Sequence, residues 1–232
     1  METVALSKHP NDMHVNIEVA GEQLLLEPER SAYWPRRHTL LVADAHFGKA
    51  ASFRARGVPV PEATTLATLA ALDALLTRHA ARRIVFLGDF LHSKEARAPQ
   101  TLAALDAWRA RQAGLDLVLI EGNHDAHAGA PPAALGIELV QEPLLDGPFA
   151  LCHHPAPVPG SYVLAGHLHP AYRLSGKNDA VRLPCFWFGE NVGVLPAFGD
   201  FTGGHTITPG VGDRVFVVTD DRVLQVPGLR AA

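Results

Sequence analysis

The chain has 232 residues, of which 47% are hydrophobic and 19% are charged, and its formal net charge is −4. This composition is typical of a folded globular protein and excludes a disordered or collagen-like chain. The net charge does not point to nucleic-acid binding. It does not exclude it either, because bound divalent cations would reverse the sign of the local field. Since no run of about 18 apolar residues occurs, we expect no membrane-spanning segment.

The N-terminus and the cysteines indicate where the protein works. Residues 1–14 are polar and are expected to form a flexible tail, followed by a single domain over residues 15–232. The apolar core of a signal peptide is absent near the start. Cys152 and Cys185 each lie within or beside an apolar stretch, which favours buried thiols in a reducing compartment over a disulfide. We therefore expect a cytoplasmic protein.

The predicted elements of the first half alternate between strands and helices. Residues 15–19 and 23–26 flank an Ala-Gly-Glu turn and predict a hairpin. Later apolar runs predict strands buried on both faces, and stretches with apolar residues on one helical face predict helices. The strands are expected over 40–43, 84–87 and 115–120, and the helices over 62–80 and 99–112. This alternation indicates parallel strands joined by helical crossovers.

The second half of the sequence has a different pattern. Short apolar segments separated by Gly and Pro turns predict a second, mixed sheet. These segments cover residues 137–140, 149–152, 162–165, 181–188 and 215–218. Together the two halves predict an α/β fold with two packed mixed β-sheets flanked by helices.

Five short clusters of Asp, Asn and His lie where predicted strands end. They are Asp44-Ala45-His46, Gly88-Asp89 with His92, Gly122-Asn123-His124-Asp125, His153-His154 and Gly166-His167-Leu168-His169. Ligands of open α/β sheets bind beyond the carboxyl ends of the strands, so we expect the clusters to form one site. Because alternate residues of an extended strand face the same side, Asp44 and His46 should point together, as should His167 and His169.

The donor types of these clusters predict a metal centre. Carboxylate and amide oxygens suit hard cations, whereas imidazole nitrogens suit Mn²⁺, Fe²⁺ or Zn²⁺, so the mixed set favours a transition metal over Mg²⁺ alone. The set is large enough for two ions. Asp89 is the natural bridge, because one carboxylate can hold two cations about 3.5–4 Å apart. Gly88, Gly122 and Gly166 precede ligand positions and allow tight turns close to the metals.

In this order, the clusters resemble the motifs of the calcineurin-like metallophosphoesterase superfamily, which run Asp-x-His, Gly-Asp, Gly-Asn-His-Asp/Glu, His and Gly-His-x-His. The resemblance implies two ligand sets that share one residue. The first metal would be held by Asp44, His46, Asp89 and His169, and the second by Asp89, Asn123, His153 and His167. The two divalent ions are expected to be Mn²⁺, with Fe²⁺, Zn²⁺ or Mg²⁺ as alternatives, and to hold a bridging hydroxide as the nucleophile.

Two positions depart from the common motifs. His92 stands where many relatives have Asp, and the form Gly-Asp-x-x-His resembles the SbcD-type repair nucleases, which favours DNA as substrate. The alternative for His92 is a loop residue that packs near Ser93. His153-His154-Pro155 stands where many relatives have His-Gly. His153, at the strand end, is the predicted ligand, and His154 is the alternative.

A closer resemblance covers nearly the whole chain. Its matching segments are residues 44–49, 53–54, 57–61, 87–93, 195–199 and 202–204. They resemble the ligase-associated DNA damage response endonuclease (PdeM) family. The resemblance implies a DNA endonuclease in DNA repair, with a DNA ligase, a helicase and an exonuclease of the same repair system as partners. The alternative is a phosphodiesterase or phosphatase that acts on a nucleotide or another small phosphoester.

Three residues are predicted to be catalytic. His124 follows the ligand Asn123 and is expected to donate a proton to the leaving group or to stabilise the phosphate. Asp125 is expected to orient the His124 imidazole and to favour its protonated form. His92 is the third residue that is predicted to be catalytic.

Three basic residues follow the first metal motif and are predicted to bind substrate. They are Lys49, Arg54 and Arg56. They are placed to contact phosphates on either side of the scissile bond. The alternative is that they are solvated charges on a loop or short helix.

Overall fold

Seven strands among the described residues form the first sheet, in the order of the sequence. They are β1 (Val15–Val19), β2 (Glu22–Leu26), β3 (Ala32–Trp34), β4 (Thr39–Val42), β5 (Arg83–Phe86), β6 (Asp116–Ile120) and β7 (Ile137–Val140). Strands β1 to β4 pair antiparallel, and β4 to β7 pair parallel. The fold is that of a computed structural model, which describes residues 13–55, 57–58, 60, 64–176, 179–200 and 202–227.

Helices occupy the connections between the parallel strands. They are α1 (Lys49–Ala55), α2 (Thr64–His79), α3 (Pro99–Arg111) and α4 (Asn123–Ala128), with short 3₁₀ turns at Pro35–Arg37, Lys94–Arg97 and Ala133–Leu135. Helix α2 begins soon after the proline-rich stretch 59–61, and α3 has a proline at its first position, which suits a helix start because proline has no N–H to leave unpaired. None of the helices among the described residues combines the length and the apolar character needed to cross a membrane.

The second sheet is mixed and contains nine strands of the described residues. They are β8 (Leu144–Asp146), β9 (Phe149–Leu151), β10 (Tyr162–Ala165), β11 (Pro170–Ser175), β12 (Ala180–Phe188), β13 (Val192–Val194), β14 (His205–Thr206), β15 (Arg214–Val218) and β16 (Val223–Gln225). The order is β14-β11-β12-β13-β10-β9-β8, and β15 pairs with both β12 and β16. Strand β10 is parallel to its neighbours β9 and β13.

Each central strand of the first sheet is apolar on both faces because it borders two different cores. Leu41 of β4 packs in the core between the two sheets, together with Phe149 and Phe186 of the second sheet. Leu40, its neighbour in sequence, packs in the core beneath the helices, together with Trp108 of α3. The continuous apolar runs of the sequence therefore predicted this double burial correctly.

The predicted architecture is confirmed, with one strand in a different sheet. Residues 15–26 form the expected hairpin. Residues 137–140, predicted in the second sheet, instead extend the first sheet as β7, parallel to β6. The reason is that α4 and the turn Ala133–Leu135 carry the chain through one more helical crossover. The predicted tail over residues 1–14 lies almost wholly outside the described residues, and the predicted domain limits stay a prediction.

Candidate metal centre

The loops after five strands converge at the seam between the two sheets. The first-sheet loops follow β4, β5 and β6, and the second-sheet loops follow β9 and β10. A hydrogen bond of 2.8 Å from the backbone N–H of His167 to the side-chain Oδ2 of Asp44 connects the two groups of loops. All seven predicted ligands are brought together there. This confirms that the clusters share one position, whereas their roles as ligands remain predictions.

Asp44, His46 and His169 form one end of the cluster. His46 Nε2 lies 3.3 Å from His169 Nε2, which in turn lies 3.6 Å from Asp44 Oδ1. The other ring nitrogen of His169 lies 3.1 Å from the carbonyl oxygen of Thr202. Because a carbonyl only accepts hydrogen bonds, Nδ1 carries the hydrogen and Nε2 keeps a lone pair for the cluster.

Asn123, His153 and His167 form the other end. His153 Nε2 lies 2.9 Å from Asn123 Oδ1 and 3.0 Å from His167 Nδ1. Its Nδ1 donates to the carbonyl oxygen of Leu87 at 3.0 Å, so Nε2 again keeps its lone pair for the cluster. The His153 side chain is fully buried.

Asp89 lies between the two ends. Its Oδ2 is 3.9 Å from His46 Nε2, and its Oδ1 is 3.6 Å from His153 Nε2. Oδ1 also accepts the backbone N–H of His124 at 2.9 Å. Burial raises the pKa of Asp89, and the nearby His153 opposes that rise. A carboxylate in this position can serve both ends of the cluster.

The donor set fits divalent cations. Asp44 Oδ1 is buried without a hydrogen-bond partner, which is costly unless a cation satisfies it. Burial lowers the pKa of His46 far below its usual range, and metal ligation needs a neutral imidazole. Among the described residues, four triads have ligand atoms within 4.8 Å of one another: Asp44–His46–His169, Asp44–Asp89–His153, His46–His92–His124 and His153–His154–His167.

The ligand loops are not extended, so the reason given for the pairing of alternate residues is wrong. Asp44 and His46 have φ angles of 51° and 47°, and His167 and His169 have 69° and 48°, all in the left-handed region. Each such residue costs about 1–2 kcal/mol, although Asp and His tolerate the region better than most residues. Hydrogen bonds hold this conformation, such as that of 2.9 Å from the N–H of His46 to the carbonyl oxygen of Asp89.

Two glycines permit the close approach of the loops, and each one faces a ligand from the opposite sheet. A methyl group on Gly88, which follows β5 and has φ of 81°, would overlap the imidazole of His153. A methyl group on Gly166, which follows β10, would lie 2.6 Å from Asp44 Oδ2. The first contact also needs the positive φ that glycine adopts without strain.

His92 and His124 lie beside the first end of the cluster. Their rings stack at 5.0 Å between centroids, and each ring centroid lies within 5.1 Å of that of His46. His92 Nδ1 is 3.4 Å from His46 Nδ1. The structure therefore places His92 against the cluster. The side chain of Ser93, near which the alternative placed His92, bonds to Ser52 and Glu95.

The predicted role of Asp125 is wrong. Its Oδ1 accepts the backbone N–H groups of Phe90 and Leu91 at 3.0 and 3.1 Å, and its Oδ2 accepts that of Gly122 at 3.1 Å. Residues 124 and 125 are neighbours on α4, and side chains of adjacent helical residues point in different directions. His124 Nδ1 is instead held by the carbonyl oxygen of His92 at 2.7 Å. Asp125 thus fixes the loop after β5 and does not contact the imidazole.

Glu142 is a supporting residue that the sequence did not reveal. Its Oε2 accepts the backbone N–H groups of His153 and His154 at 2.7 and 2.9 Å, and its Oε1 lies 2.7 Å from His154 Nδ1. These hydrogen bonds lower the pKa of Glu142 against the opposing effect of its burial. His153 therefore points into the cluster, whereas His154 is held at the exposed rim with 45% of its side chain accessible. A lone Glu eleven residues before His153 gives no local signal of this contact.

The three predicted phosphate-binding residues have different surroundings. Lys49, at the start of α1, is partly buried, and its pKa is lowered by burial against the attraction of Asp44 and Asp89. Arg54 donates to the carbonyl oxygen of Val60 at 3.1 Å. Arg56 lies outside the described residues. The charge of Lys49 interacts with the carboxylates of the cluster, Asp44 and Asp89.

The seam between the two mixed sheets gathers Asp, Asn and His side chains from the strand ends, as is expected of a metallophosphoesterase. Among solved structures, the chain is similar to the Pseudomonas putida nuclease MPE, with 48% sequence identity and a TM-score of 0.81. This match covers 92% of the chain and 100% of the nuclease. The chain therefore belongs to the calcineurin-like metallophosphoesterase family, and it is a metal-dependent phosphodiester hydrolase.

A second solved structure is the phosphoesterase Yfce from E. coli, at 15% identity over 81% of this chain and 97% of that one, with a TM-score of 0.41. No protein-family model matches the chain. No curated protein matches it either.

Proposed function

We propose that the protein is a Mn²⁺-dependent DNA endonuclease of DNA repair that uses two metal ions. The observation that carries the proposal is the similarity to the nuclease MPE, at 48% identity over 92% of the chain. It is supported by the convergence of two groups of ligand atoms on Asp89, with the shared carboxylate 3.9 Å from His46 and 3.6 Å from His153.

The resemblance to the family implies two ligand sets, and the positions of the donors support them. Asp44, His46, Asp89 and His169 would hold one ion, and Asp89, Asn123, His153 and His167 would hold the other. When bound, the ions supply Lewis acidity to the scissile phosphate and lower the pKa of an attacking water. The mixture of carboxylate, amide and imidazole donors favours Mn²⁺ over Mg²⁺.

His124 is the proposed general acid. Its Nδ1 donates to the carbonyl oxygen of His92 at 2.7 Å, which fixes the ring and leaves Nε2 as the nitrogen that can reach substrate. In the protonated ring, Nε2 donates its proton to the departing oxygen of the phosphodiester. The ring of His92, stacked on that of His124, is proposed to contact the substrate phosphate beside it.

The surroundings of His124 suit a polymeric substrate. An open cleft of about 630 Å³ is lined by His92, His124, Lys94 and His127 together with Ser93, Glu95 and Ala126. The cleft is open to solvent, so a phosphodiester in the middle of a long chain can enter it from the side. Lys49, Arg54 and Arg56 are proposed to contact the flanking phosphates, with Lys49 acting nearest to the metal ions.

The experiment compares a polymer with a small diester. Metal-stripped protein is supplied with Mn²⁺ and incubated with circular single-stranded DNA, linear duplex, hairpin DNA and bis-p-nitrophenyl phosphate. We expect cleavage of the small diester and of the circular DNA, because a circle has no end and is cut only by an endonuclease. Hydrolysis of the small diester with every DNA intact would contradict the proposal and favour a nucleotide or small phosphoester as substrate.

Metal identity is tested in the same assay by exchanging Mn²⁺ for Mg²⁺, Fe²⁺ or Zn²⁺. A higher rate with Mg²⁺ than with Mn²⁺ would contradict the choice of metal. The resemblance of the sequence supports a repair role beside a DNA ligase, a helicase and an exonuclease, and the polar N-terminus and the two cysteines support a cytoplasmic location. Purification of the tagged protein from its own cells would test that association.

A further inference from the structure

A second cleft leaves the metal cluster along the β11–β12 hairpin. It has a volume of about 250 Å³ and begins at His169. Ala171 and Pro184 line it, and so do Arg30, Arg182 and the loop Gly203-Gly204. Arg30 is already paired with Asp200 at 2.6 Å, which leaves Arg182 as the arginine on the hairpin side of the cleft. The cleft is therefore a track from the cluster onto the hairpin.

The register of the hairpin places two arginines on the face that forms this track. Ala171 pairs with Pro184, and Arg173 pairs with Arg182. Residues two apart on a strand, and residues directly opposite on paired strands, lie on the same face of a sheet. Arg173 and Arg182 therefore continue the face of Ala171 and Pro184 away from His169.

The two arginines form a concentrated positive charge. Both are exposed, and like charges directly opposite each other on paired strands destabilise a sheet. No carboxylate among the described residues forms an ion pair with either guanidinium. Arg182 donates to the carbonyl oxygen of Gly204 at 3.1 Å. Arg78 and Arg83 differ in this respect, since each contacts a carboxylate at 2.7 Å.

We propose that Arg173 and Arg182 form a binding site for the phosphate backbone of DNA, apart from the scissile phosphate. The inference rests on the proposed nuclease function and adds a named contact to it. Arg173 is four positions after His169, which is at most about 14 Å of extended chain. One strand of a duplex advances about 3.4 Å per phosphate, so the arginines reach a phosphate about four nucleotides from the cut. A guanidinium group can donate two parallel hydrogen bonds to two oxygens of one phosphate, and such a contact does not depend on the base sequence.

The test removes both charges and leaves the metal cluster intact. The double variant R173Q/R182Q is compared with the wild type and with R111Q/R222Q, which removes two exposed arginines from other parts of the surface. Equilibrium binding of a fluorescein-labelled DNA hairpin by the metal-stripped protein is measured from about 50 to about 200 mM salt. Steady-state kinetics with Mn²⁺ are measured on DNA and on bis-p-nitrophenyl phosphate.

We expect R173Q/R182Q to hydrolyse the small diester like the wild type but to have a KM for DNA roughly tenfold higher. The slope of the plot of log K against log salt should flatten by about 1.4–1.8, because each phosphate contact contributes about 0.7–0.9 to the slope. R173K/R182K should restore most of the slope, and R111Q/R222Q should leave it unchanged. The melting temperature of each variant checks that it is folded.

Two failures are distinguishable. If the wild type cuts DNA and R173Q/R182Q retains its KM and salt slope, the hairpin site is wrong and the nuclease function stands. An equal loss in R111Q/R222Q would also overturn the hairpin site, because the effect would then be one of net charge. If the wild type cleaves the small diester and no DNA, both the nuclease function and the hairpin site are contradicted.

Discussion

The two halves of the chain bring different atoms to the metal centre. Loops after strands of the first sheet supply all the oxygen donors of the predicted ligand set, from Asp44, Asp89 and Asn123, and one imidazole, from His46. Loops after strands of the second sheet supply imidazoles alone. These are His153, His167 and His169.

This division means that neither sheet holds a mixed site by itself. The centre depends on the alignment of the two sheets, and a few hydrogen bonds across the seam set that alignment. They include the bond from the N–H of His167 to Asp44 Oδ2 at 2.8 Å and that from His153 Nδ1 to the carbonyl oxygen of Leu87 at 3.0 Å. Variants that act on one side of the seam, or across it, should therefore have separable effects.

Asp89 is the residue whose loss should affect both halves. In Asp89→Asn the shared carboxylate is gone, and we expect kcat/KM for bis-p-nitrophenyl phosphate to fall at least about ten-thousandfold, since bound metals contribute several kcal/mol to the transition state. Metal analysis should find less Mn²⁺ bound. Asp106→Asn, at an exposed position on α3, is the matched control and should behave like the wild type. Full metal occupancy in Asp89→Asn would contradict a bridging role.

His124 should affect the chemistry and leave both groups of ligands intact. We expect His124→Ala to lower kcat by roughly a hundredfold to ten-thousandfold, the range for a general acid, with Mn²⁺ binding unchanged. His38→Ala is the control, because this exposed imidazole precedes β4, at the end of that strand opposite to the ligand loop. An unchanged kcat in His124→Ala would exclude this residue as the acid.

Asp125 acts within the first half only, and its effect should depend on pH. Burial raises the pKa of Asp125 to about 6, against the lowering by backbone hydrogen bonds. The folded state therefore favours the protonated carboxyl, so this stability is fully present below the unfolded pKa near 3.9 and is lost as the pH rises through about 6.

Asp125→Asn has no such titration. Relative to this variant, the metal-free wild type should lose up to about 3 kcal/mol of unfolding free energy between pH 4 and pH 7, measured by chemical denaturation. Asp106→Asn should give a difference from wild type that does not vary with pH. A constant difference for Asp125→Asn as well would show that its carboxyl titrates normally.

Glu142 should have the smallest effect of these residues on the alignment of the two sheets. It follows a strand of the first sheet and bonds a loop of the second sheet. Glu142→Ala should weaken Mn²⁺ binding about tenfold to a hundredfold, the usual effect of losing a residue that supports a ligand. Glu142→Gln should be closer to the wild type, since its amide oxygen still accepts the N–H groups of His153 and His154. The measurement is the Mn²⁺ dependence of the melting temperature. Equal behaviour of the two variants would indicate that the hydrogen bonds do not matter.

The sequence predicted those features that depend on local pattern. The hairpin, the double burial of β4 and the position of each ligand at a strand end follow from hydrophobic periodicity, which lies within a few residues of each site. The sheet that β7 joins could not be predicted, because an apolar strand fits either sheet and the crossover through α4 decides. The contacts of Asp125 and Glu142 depend on loops that meet only after folding. The opposition of Arg173 and Arg182 depends on hairpin register.

Gly88 and Gly166 affect how the results of a mutagenesis scan of this protein should be interpreted. Because each one has no side chain, it leaves room for a predicted ligand from the opposite sheet. Gly88 leaves room for His153, and Gly166 leaves room for Asp44. In a saturation scan, alanine at either position should abolish turnover as completely as the loss of a ligand. A ranking of positions by sensitivity would therefore place two residues without side chains among those that carry out the reaction.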